Sequence, residues 1–466
     1  MEETQKKVHF IGIGGIGMSG IAEVLHNLGY EVSGSDLRAS HITEQLSKLG
    51  VRVCIGHDAA NVMDVDVVVY SNAVPEQNPE IIEAKKRSIP IIPRAEMLNE
   101  LLRLKRGIGI AGTHGKTTTT SMVSTILNDA KWDPTMIIGG ILNTIKGNAY
   151  LGKGEFLVYE ACEAFGSINF LNGEIVAVTN IDNDHMEFYK SFEYLKQTFL
   201  DYINRVPFYG FAVLNGDDPE IKSLLPLVRK RYYLFGQDPS YHVYAHDIRT
   251  STFETHFKVD FQGEFLGEFT LSLPGIHNVY NALAAIAIAI NLGLDVKKIQ
   301  KSLSKFVNAD RRFQFIGEEN GIMVVDDYAH HPTEVEATLD AAFQTKNGKV
   351  KRVVTIFQPH LYSRTQIHYK NFAISLEKSD FVLLCELYPA REKPIEGVSS
   401  KLIEEVFERH KFENYRYCAD LDEALEKLVE IARPGDLVLT MGAGDITDLG
   451  PQILEALKKN APVLAR

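Results

Sequence analysis

The sequence predicts an α/β protein of three domains, each built on a largely parallel sheet. Three observations carry that prediction. The chain has 466 residues, a length that as a soft prior corresponds to about three domains. Two apolar runs, beginning at Lys7 and at Ile108, each break into a glycine turn and then open a helical stretch. Beyond Asn308, apolar β-branched runs alternate with helical segments and end repeatedly in clusters of polar side chains. The expected boundaries are 1–106, 107–307 and 308–466.

Composition narrows the class. Hydrophobic residues make up 45% and charged residues 24%, enough to bury large cores. A formal net charge of -12 argues against a general nucleic-acid binder, so an anionic ligand must be held by placed Lys, Arg and backbone N–H groups. Cys54, Cys162, Cys385 and Cys418 lie far apart with no CxxC pair, which fits reduced thiols and gives no zinc signal. The N-terminus leads directly into a strand without a signal-peptide pattern. The most apolar helix-like stretch, Ala282 to Ile290, is far short of the roughly 20 residues that span a bilayer. A cytoplasmic protein, monomer or homodimer, without nucleic-acid or membrane partners, is expected.

The opening run Lys7–Met18 reads as strand, turn and helix, with Gly12, Gly14 and Gly17 spaced as G-x-G-x-x-G and Gly15 inside the turn. Asp36 ends the next strand about 20 residues on, the spacing of a dinucleotide site, although the same turn holds any diphosphate. Strands are expected at Val51–Ile55 and Val65–Tyr70, in a doubly wound sheet of Rossmann type. Ser71 sits just past a strand's carboxyl end, where ligands bind in such sheets.

The second turn is Gly112-Thr113-His114-Gly115-Lys116-Thr117-Thr118. It bares backbone N–H groups at a helix N-terminus, where the macrodipole favours negative charge. Lys116 can neutralise phosphate oxygens and the Thr117 hydroxyl can ligate Mg²⁺. The loop is a short form of the common phosphate cradle, because Ile110 stands where the longer form needs glycine. A run of four threonines is a poor helix former, so local propensity does not explain it. A central domain of P-loop ATPase type follows. Phe156–Glu160 and Ile175–Asn180 read as buried strands that deliver Glu160, Glu163 and the cluster ending at His185. Lys116, Thr117, Glu160 and His185 make a sensible phosphoryl-transfer set with Mg²⁺, which prefers oxygen ligands. Glu163 is either part of that set or a helix-start acid. A helix around Ser191–Asn204, a strand at Gly210–Asn215 and a β-rich stretch from 229 to 274 come next. Pro274 to Asn281 then leads into an Ala/Ile core helix.

In the third section, strands around Val324–Val325 and Val353–Phe357 end at Asp326–Glu334 and Gln358–Thr365, with further strands at Phe381–Cys385, Tyr415–Cys418 and Leu437–Thr440. Arg311 and Arg312 precede them and can place a guanidinium at a phosphate. Tyr328, His330, His331, His360 and Arg364 gather at neighbouring strand ends, as in a small anion pocket.

Taken in order, Gly12-Ile-Gly-Gly-Ile-Gly-Met18, Gly112-Thr-His-Gly-Lys-Thr117, Thr179-Asn-Ile-Asp-Asn-Asp-His-Met186, Gly275-Ile-His-Asn-Val-Tyr-Asn281, Arg311-Arg-Phe313, Asp326-Asp-Tyr-Ala-His-His-Pro-Thr-Glu334 and Phe357-Gln-Pro-His-Leu-Tyr-Ser-Arg-Thr365 resemble the Mur ligases. The resemblance runs over essentially the whole chain. It implies an N-terminal domain whose glycine loop takes a UDP diphosphate rather than NAD, a central ATP domain and a C-terminal domain that helps hold an amino acid. It further implies ATP-dependent joining of L-alanine to UDP-N-acetylmuramate through an acyl phosphate, with two Mg²⁺ ions. On that resemblance Gly12, Gly14, Gly15, Gly17, Asp36 and Ser71 bind the UDP-sugar. Gly112 to Thr118, His277, Asn278, Asn281 and Arg311 meet ATP, and Thr117, Glu160 and His185 hold metal. Arg312 contacts phosphate, while Tyr328, His330, His360 and Arg364 lie near alanine and the reacting carboxyl, with His330 or His360 as base.

Two departures stand out. Many relatives read Glu-Ala-Asp-Glu-Ser-Asp where this chain has Glu160-Ala-Cys-Glu-Ala-Phe165, and Leu361 occupies a place often held by Arg. Some members carry a carbamylated Lys after the His loop, for which Lys196 is the nearby candidate. A murein-tripeptide recycling ligase, a non-catalytic nucleotide-binding relative and a nicotinamide dehydrogenase remain the alternatives.

Overall fold

The structure, a computed structural model, describes residues 6–459 except 72, 143–146, 252, 348 and 391. Residues 1–5, on which the absence of a signal-peptide pattern was read, and Asn72 within the Ser71–Pro75 turn lie outside the described residues. The chain divides into two compact units. The first holds Met1–His246, Lys258–Phe269 and Tyr280–Val307; the second holds Asp247–Phe257, Thr270–Val279 and Asn308–Arg466.

The first unit opens with a five-stranded parallel sheet of β1 (Lys7–Ile11), β2 (Glu31–Asp36), β3 (Arg52–Ile55), β4 (Val67–Tyr70) and β5 (Ile91–Pro93), in the order β3-β2-β1-β4-β5. β1 lies centrally, so its end, where the first glycine turn begins, is a topological switch point of the kind that binds ligands. The helix Ile16–Asn27 buries Met18, Ile21, Val24 and Leu25 against the sheet.

The larger sheet comprises β6 (Arg106–Ala111), β7 (Thr135–Leu142), β8 (Gly147–Tyr150), β9 (Phe156–Glu160), β10 (Ile175–Val178), β11 (Phe211–Asn215), β12 (Tyr232–Gly236), β13 (Val243–Thr250), β14 (Thr255–Phe261) and β15 (Glu264–Leu271). Their order is β15-β14-β13-β12-β11-β10-β6-β9-β7-β8. β6 lies between β10 and β9, and the parallel register sets Val178 opposite Ala111 and Glu160 opposite Ile110. That register brings three strand ends to one level, which is what places the phosphate loop beside Glu160 and the segment after Val178. The sequence did not disclose β7 and β8, an antiparallel hairpin. Paired glycines at 139 and 140 hide it, because glycine is depleted in strands.

Through β8 the first sheet's helix joins the second sheet. Asn148 Nδ2 donates to the Ile16 carbonyl and to Ser19 Oγ at 3.2 Å. Gly20 lets the helix approach, since a Cβ there would lie 3.1 Å from that of Ala149.

The second unit carries a six-stranded sheet of β16 (Gln314–Glu319), β17 (Ile322–Asp327), β18 (Arg352–Phe357), β19 (Phe381–Cys385), β20 (Tyr415–Cys418) and β21 (Asp436–Met441), ordered β16-β17-β21-β18-β19-β20. All its neighbours are parallel except the edge pair β16–β17. The polar composition of β16 masks it in the sequence. Among the described residues no helix is long and apolar enough to cross a membrane.

Candidate active site

The phosphate loop is built by β6 and the helix Lys116–Asp129. Two glycines make its shape possible. Gly112 and Gly115 sit at φ +127° and +83°, and a Cβ would fall 2.1 Å from Thr179 Oγ1 at the first and 2.4 Å from Asn281 Oδ1 at the second. The strand-end residues after β10 brace the loop. Thr113 N donates to the Asn180 carbonyl at 3.1 Å and His114 N to Asn180 Oδ1 at 2.8 Å. Thr179 Oγ1 and Asn180 Nδ2 donate to the His114 carbonyl at 2.6 and 3.0 Å, and Asp182 N donates to Thr113 Oγ1 at 2.9 Å. His114 Nε2 lies 2.9 Å from Asp182 Oδ2. Asn281 also accepts from Thr119 Oγ1 at 3.1 Å. Asn180 and Asp182 are therefore structural partners of the loop, a role their sequence cluster did not reveal.

Lys116 turns back over its own loop. Its Nζ donates to the carbonyls of Gly112 and Thr113 at 2.6 and 2.9 Å and to both Glu163 oxygens at 2.9 Å. Burial, the largest single effect, would lower the ammonium's pKa; Glu163, with Cys162 and Glu160 behind it, outweighs that in combination, and the net direction is upward. Glu163 is itself buried, held near the loop by Tyr189, whose hydroxyl donates to the Glu163 carbonyl. Glu163 does stand at a helix start, before the 3-10 helix Ala164–Phe170, but its carboxylate makes no capping bond there and turns to Lys116 instead.

Glu160, the last residue of β9, accepts from Gly139 N at 2.6 Å. Thr117 and Thr118 are buried in the first turn of the loop's helix. The Thr117 hydroxyl and the Glu160 carboxylate are the hard oxygen donors that Mg²⁺ takes. His185 has left-handed backbone, φ 57°, before the short helix Met186–Tyr189, and its Nε2 lies 3.7 Å from Asp184 Oδ2. The altered acidic motif places Phe165, also left-handed at φ 54°, with its ring centroid 6.5 Å from that of His185. Lys196 pairs with Glu220 at 2.8 Å.

The first glycine turn is held from β2. Gly12 N and Ile13 N donate to the Ser35 carbonyl at 2.8 and 3.0 Å, and Gly14 N donates to Asp36 Oδ2 at 2.9 Å. Gly15 N closes the turn onto the Gly12 carbonyl at 3.2 Å. Ser71 borders the turn, its Cβ 3.6 Å from where a Cβ on Gly12 would stand. Behind β2 the fully buried Glu80 accepts from Ser35 Oγ at 2.6 Å and Asn61 Nδ2 at 2.6 Å, with His57 Nδ1 at 3.1 Å. Burial works to raise the Glu80 pKa, but the hydrogen bonds from His9, Ser35 and Asn61 win and lower it.

In the second unit Arg311 spends its guanidinium on structure. Nε donates to Asp326 Oδ2 at 3.0 Å, and the terminal nitrogens reach the carbonyls of Gly442 and Gly444. Arg312 stacks over the Tyr328 ring, 5.1 Å from its centroid. The buried Asp327 is pushed up to about 6 by desolvation, against the opposing pull of Arg312. His330 Nδ1 lies 2.9 Å from the Tyr328 carbonyl, and burial brings its imidazole down to about 4. The rings of His330 and His360 are 6.0 Å apart, and Arg364 Nη1 lies 3.3 Å from His360 Nδ1. Leu361 takes φ 72°, and the preceding His360 stacks on Tyr388 with ring centroids 5.9 Å apart. Asn278 Nδ2 donates to the Pro274 carbonyl at 2.8 Å, and burial brings His277 down to about 4.

Comparison with known proteins finds three matching stretches of the chain. Residues 7–106 match the Mur ligase family, catalytic domain; residues 110–289 match the Mur ligase middle domain; residues 311–444 match the Mur ligase, glutamate ligase domain. A UDP-N-acetylmuramate–L-alanine ligase of Geotalea uraniireducens (strain Rf4) is 52% identical over 453 residues, covering 97% of this chain and 98% of that protein. One of Geobacter sulfurreducens is 50% identical over 456 residues, covering 97% and 98%. Among solved structures, the UDP-N-acetylmuramate-alanine ligase of Thermotoga maritima matches with a TM-score of 0.82 at 30% identity, over 97% of this chain and 99% of that one. A murein peptide ligase of Psychrobacter arcticus matches with a TM-score of 0.71 at 26% identity, again over 97% and 99%.

Proposed function

The chain belongs to the Mur ligase family, and on that premise we propose that it joins L-alanine to UDP-N-acetylmuramate with consumption of ATP, in peptidoglycan precursor synthesis. The observation that carries the nucleotide half is Lys116 poised on its loop between two carbonyls and Glu163. Identity of 52% over nearly full length to an L-alanine ligase carries the acceptor half.

A carboxylate is a poor electrophile. Transfer of the terminal phosphoryl group of ATP to the sugar-borne carboxylate gives an acyl phosphate with a good leaving group. The alanine nitrogen attacks the carbonyl carbon, the C–O bond to phosphate breaks, and amide, ADP and phosphate result. Lys116 exchanges its bonds to Gly112, Thr113 and Glu163 for phosphate oxygens and stabilises the charge that develops there. Thr117, Glu160 and His185 would hold Mg²⁺, two ions in this reading, which supplies further neutralisation of phosphate charge. For the second unit we assign phosphate contact to Arg312, since Arg311 is committed to Asp326 and two carbonyls. Tyr328, His360 and Arg364 are assigned to alanine. His330 stays neutral above about pH 5, given its value of about 4. The Tyr328 carbonyl only accepts, so Nδ1 carries the proton and Nε2 keeps its lone pair to receive one from the amine. A cytoplasmic location and a monomeric or homodimeric state go with this reading.

The test is phosphate release from ATP with each partner omitted in turn. Release is expected only when UDP-N-acetylmuramate and L-alanine are both present. Equal or better turnover with a murein tripeptide in place of alanine would move the assignment to the recycling ligase. ATP binding without any release would leave a non-catalytic relative.

A further inference from the structure

The first glycine turn has no lysine of its own, yet a cation lies on it. Arg94, the first residue of the helix Arg94–Leu102, comes from the strand end after β5 and rests on Gly17. A Cβ on Gly17 would stand 2.7 Å from Arg94 Nη1, 3.2 Å from Cζ and 3.3 Å from Cδ. The third glycine of the G-x-G-x-x-G pattern is therefore empty space filled by a guanidinium. Gly17 lies in the first turn of the helix Ile16–Asn27, where backbone amides have no intrahelical partner. Among the described residues no hydrogen bond or ion pair engages Arg94, although it is only partly exposed. A partly desolvated guanidinium with five donors and no acceptor is an open anion contact.

We propose that Arg94 is a substrate-binding residue whose guanidinium, seated on Gly17, grips the diphosphate of the nucleotide sugar. The inference rests on the functional reading above. It adds to that reading the cation that the first turn lacks. A diphosphate over the turn carries oxygens on two phosphorus atoms, and a planar fork pairs with them bidentately.

Equilibrium titration of uridine, UDP and UDP-N-acetylmuramate against the wild type, Arg94→Ala, Arg94→Lys and Gly17→Ala tests it. Arg94→Ala is expected to lose about tenfold or more in affinity for UDP and for the UDP-sugar, with uridine unchanged. Arg94→Lys, which keeps the charge and loses the fork, falls between. Gly17→Ala, which displaces the guanidinium, follows Arg94→Ala. The KM for ATP stays at its wild-type value in all three. Wild-type affinity of Arg94→Ala for UDP overturns the inference. So does a loss confined to the UDP-sugar, which would put the guanidinium at the sugar's carboxylate. A wild type that binds neither UDP nor the UDP-sugar sinks the functional reading itself and this inference with it.

Discussion

The glycine turn after β1 and the one after β6 share a plan of strand, turn and helix, but they differ in where charge and rigidity come from. The turn after β6 encodes its cation four residues beyond its first glycine, as Lys116, and stores it against Glu163. The turn after β1 encodes none, and the nearest guanidinium arrives from Arg94, far along the chain. Rigidity differs as well. Thr179, Asn180 and Asp182 clamp the second turn, and a methyl group has no room on Gly112, against Thr179 and Asn180, or on Gly115, against Asn281. The first hangs from two residues of β2; a methyl on Gly12 would meet nothing nearer than 3.6 Å, and those on Gly14 and Gly17 would meet only side-chain ends, Asp36 at 2.9 Å and Arg94 at 2.7 Å. One backbone device thus serves two purposes. A clamped loop with its own lysine suits a group that must be held while it reacts. A more open loop suits a group that is only bound.

The strongest attack on this contrast is Lys116→Ala. Removing the charge at the transferring phosphate should lower phosphate release by more than about a hundredfold. Affinity for the UDP-sugar should stay near the wild type, as titration of each ligand would show. Next come the glycines. Gly115→Ala should weaken ATP binding by about tenfold or more, because the new Cβ overlaps Asn281 Oδ1 and φ is +83°. Gly12→Ala, at φ +80° with only ordinary van der Waals contacts at 3.6 Å, should lose only about 1 kcal/mol, seen as a small fall in melting temperature. Equal losses in the two variants would erase the distinction between clamped and open turns.

Glu163→Gln sharpens the role of the buried pair. Burial then acts on Lys116 with its main opponent gone, so the ammonium's pKa falls. In the wild type a raised lysine pKa stabilises the fold at every pH below its unfolded value, and this is lost as pH rises through the folded value. In the variant that loss should shrink or vanish, and the alkaline limb of kcat/KM for ATP should move to lower pH. Leaving one partner of such a pair costs on the order of 3 kcal/mol, measurable by denaturant titration. The smallest effect belongs to the second unit. Asp327 has a folded value of about 6 against 3.8 for an ordinary aspartate, so its ionisation opposes folding. Stability should decline as pH rises from about 4 to about 6, and Asp327→Asn should flatten that slope in thermal unfolding.

Much of the fold was legible because it is written locally. Phe156–Glu160 and Phe381–Cys385 are apolar runs bounded by turn residues, and the strands coincide with them. The edge hairpins were not: paired glycines interrupt β7 directly after its buried run Met136–Ile138, and β16 is largely polar. The same division applies to the site. Gly112 to Thr117 announce a phosphate loop within a few residues of one another. Glu163 meets Lys116 across 47 residues, a pairing created by the register of β6 with β9 rather than by any spacing. Arg94 begins an ordinary helix after a proline, and only packing shows that it fills the space above Gly17. Nor does any motif connect Glu80 to Ser35, whose carbonyl carries the first turn.

One measurement reaches the centre of this picture: affinities for ATP and for UDP determined side by side in Lys116→Ala and Arg94→Ala. Two separately charged turns require crossed losses, with ATP weakened only in the first variant and UDP only in the second. A variant that loses both ligands together, or a Lys116→Ala protein that still binds ATP as the wild type does, would contradict it.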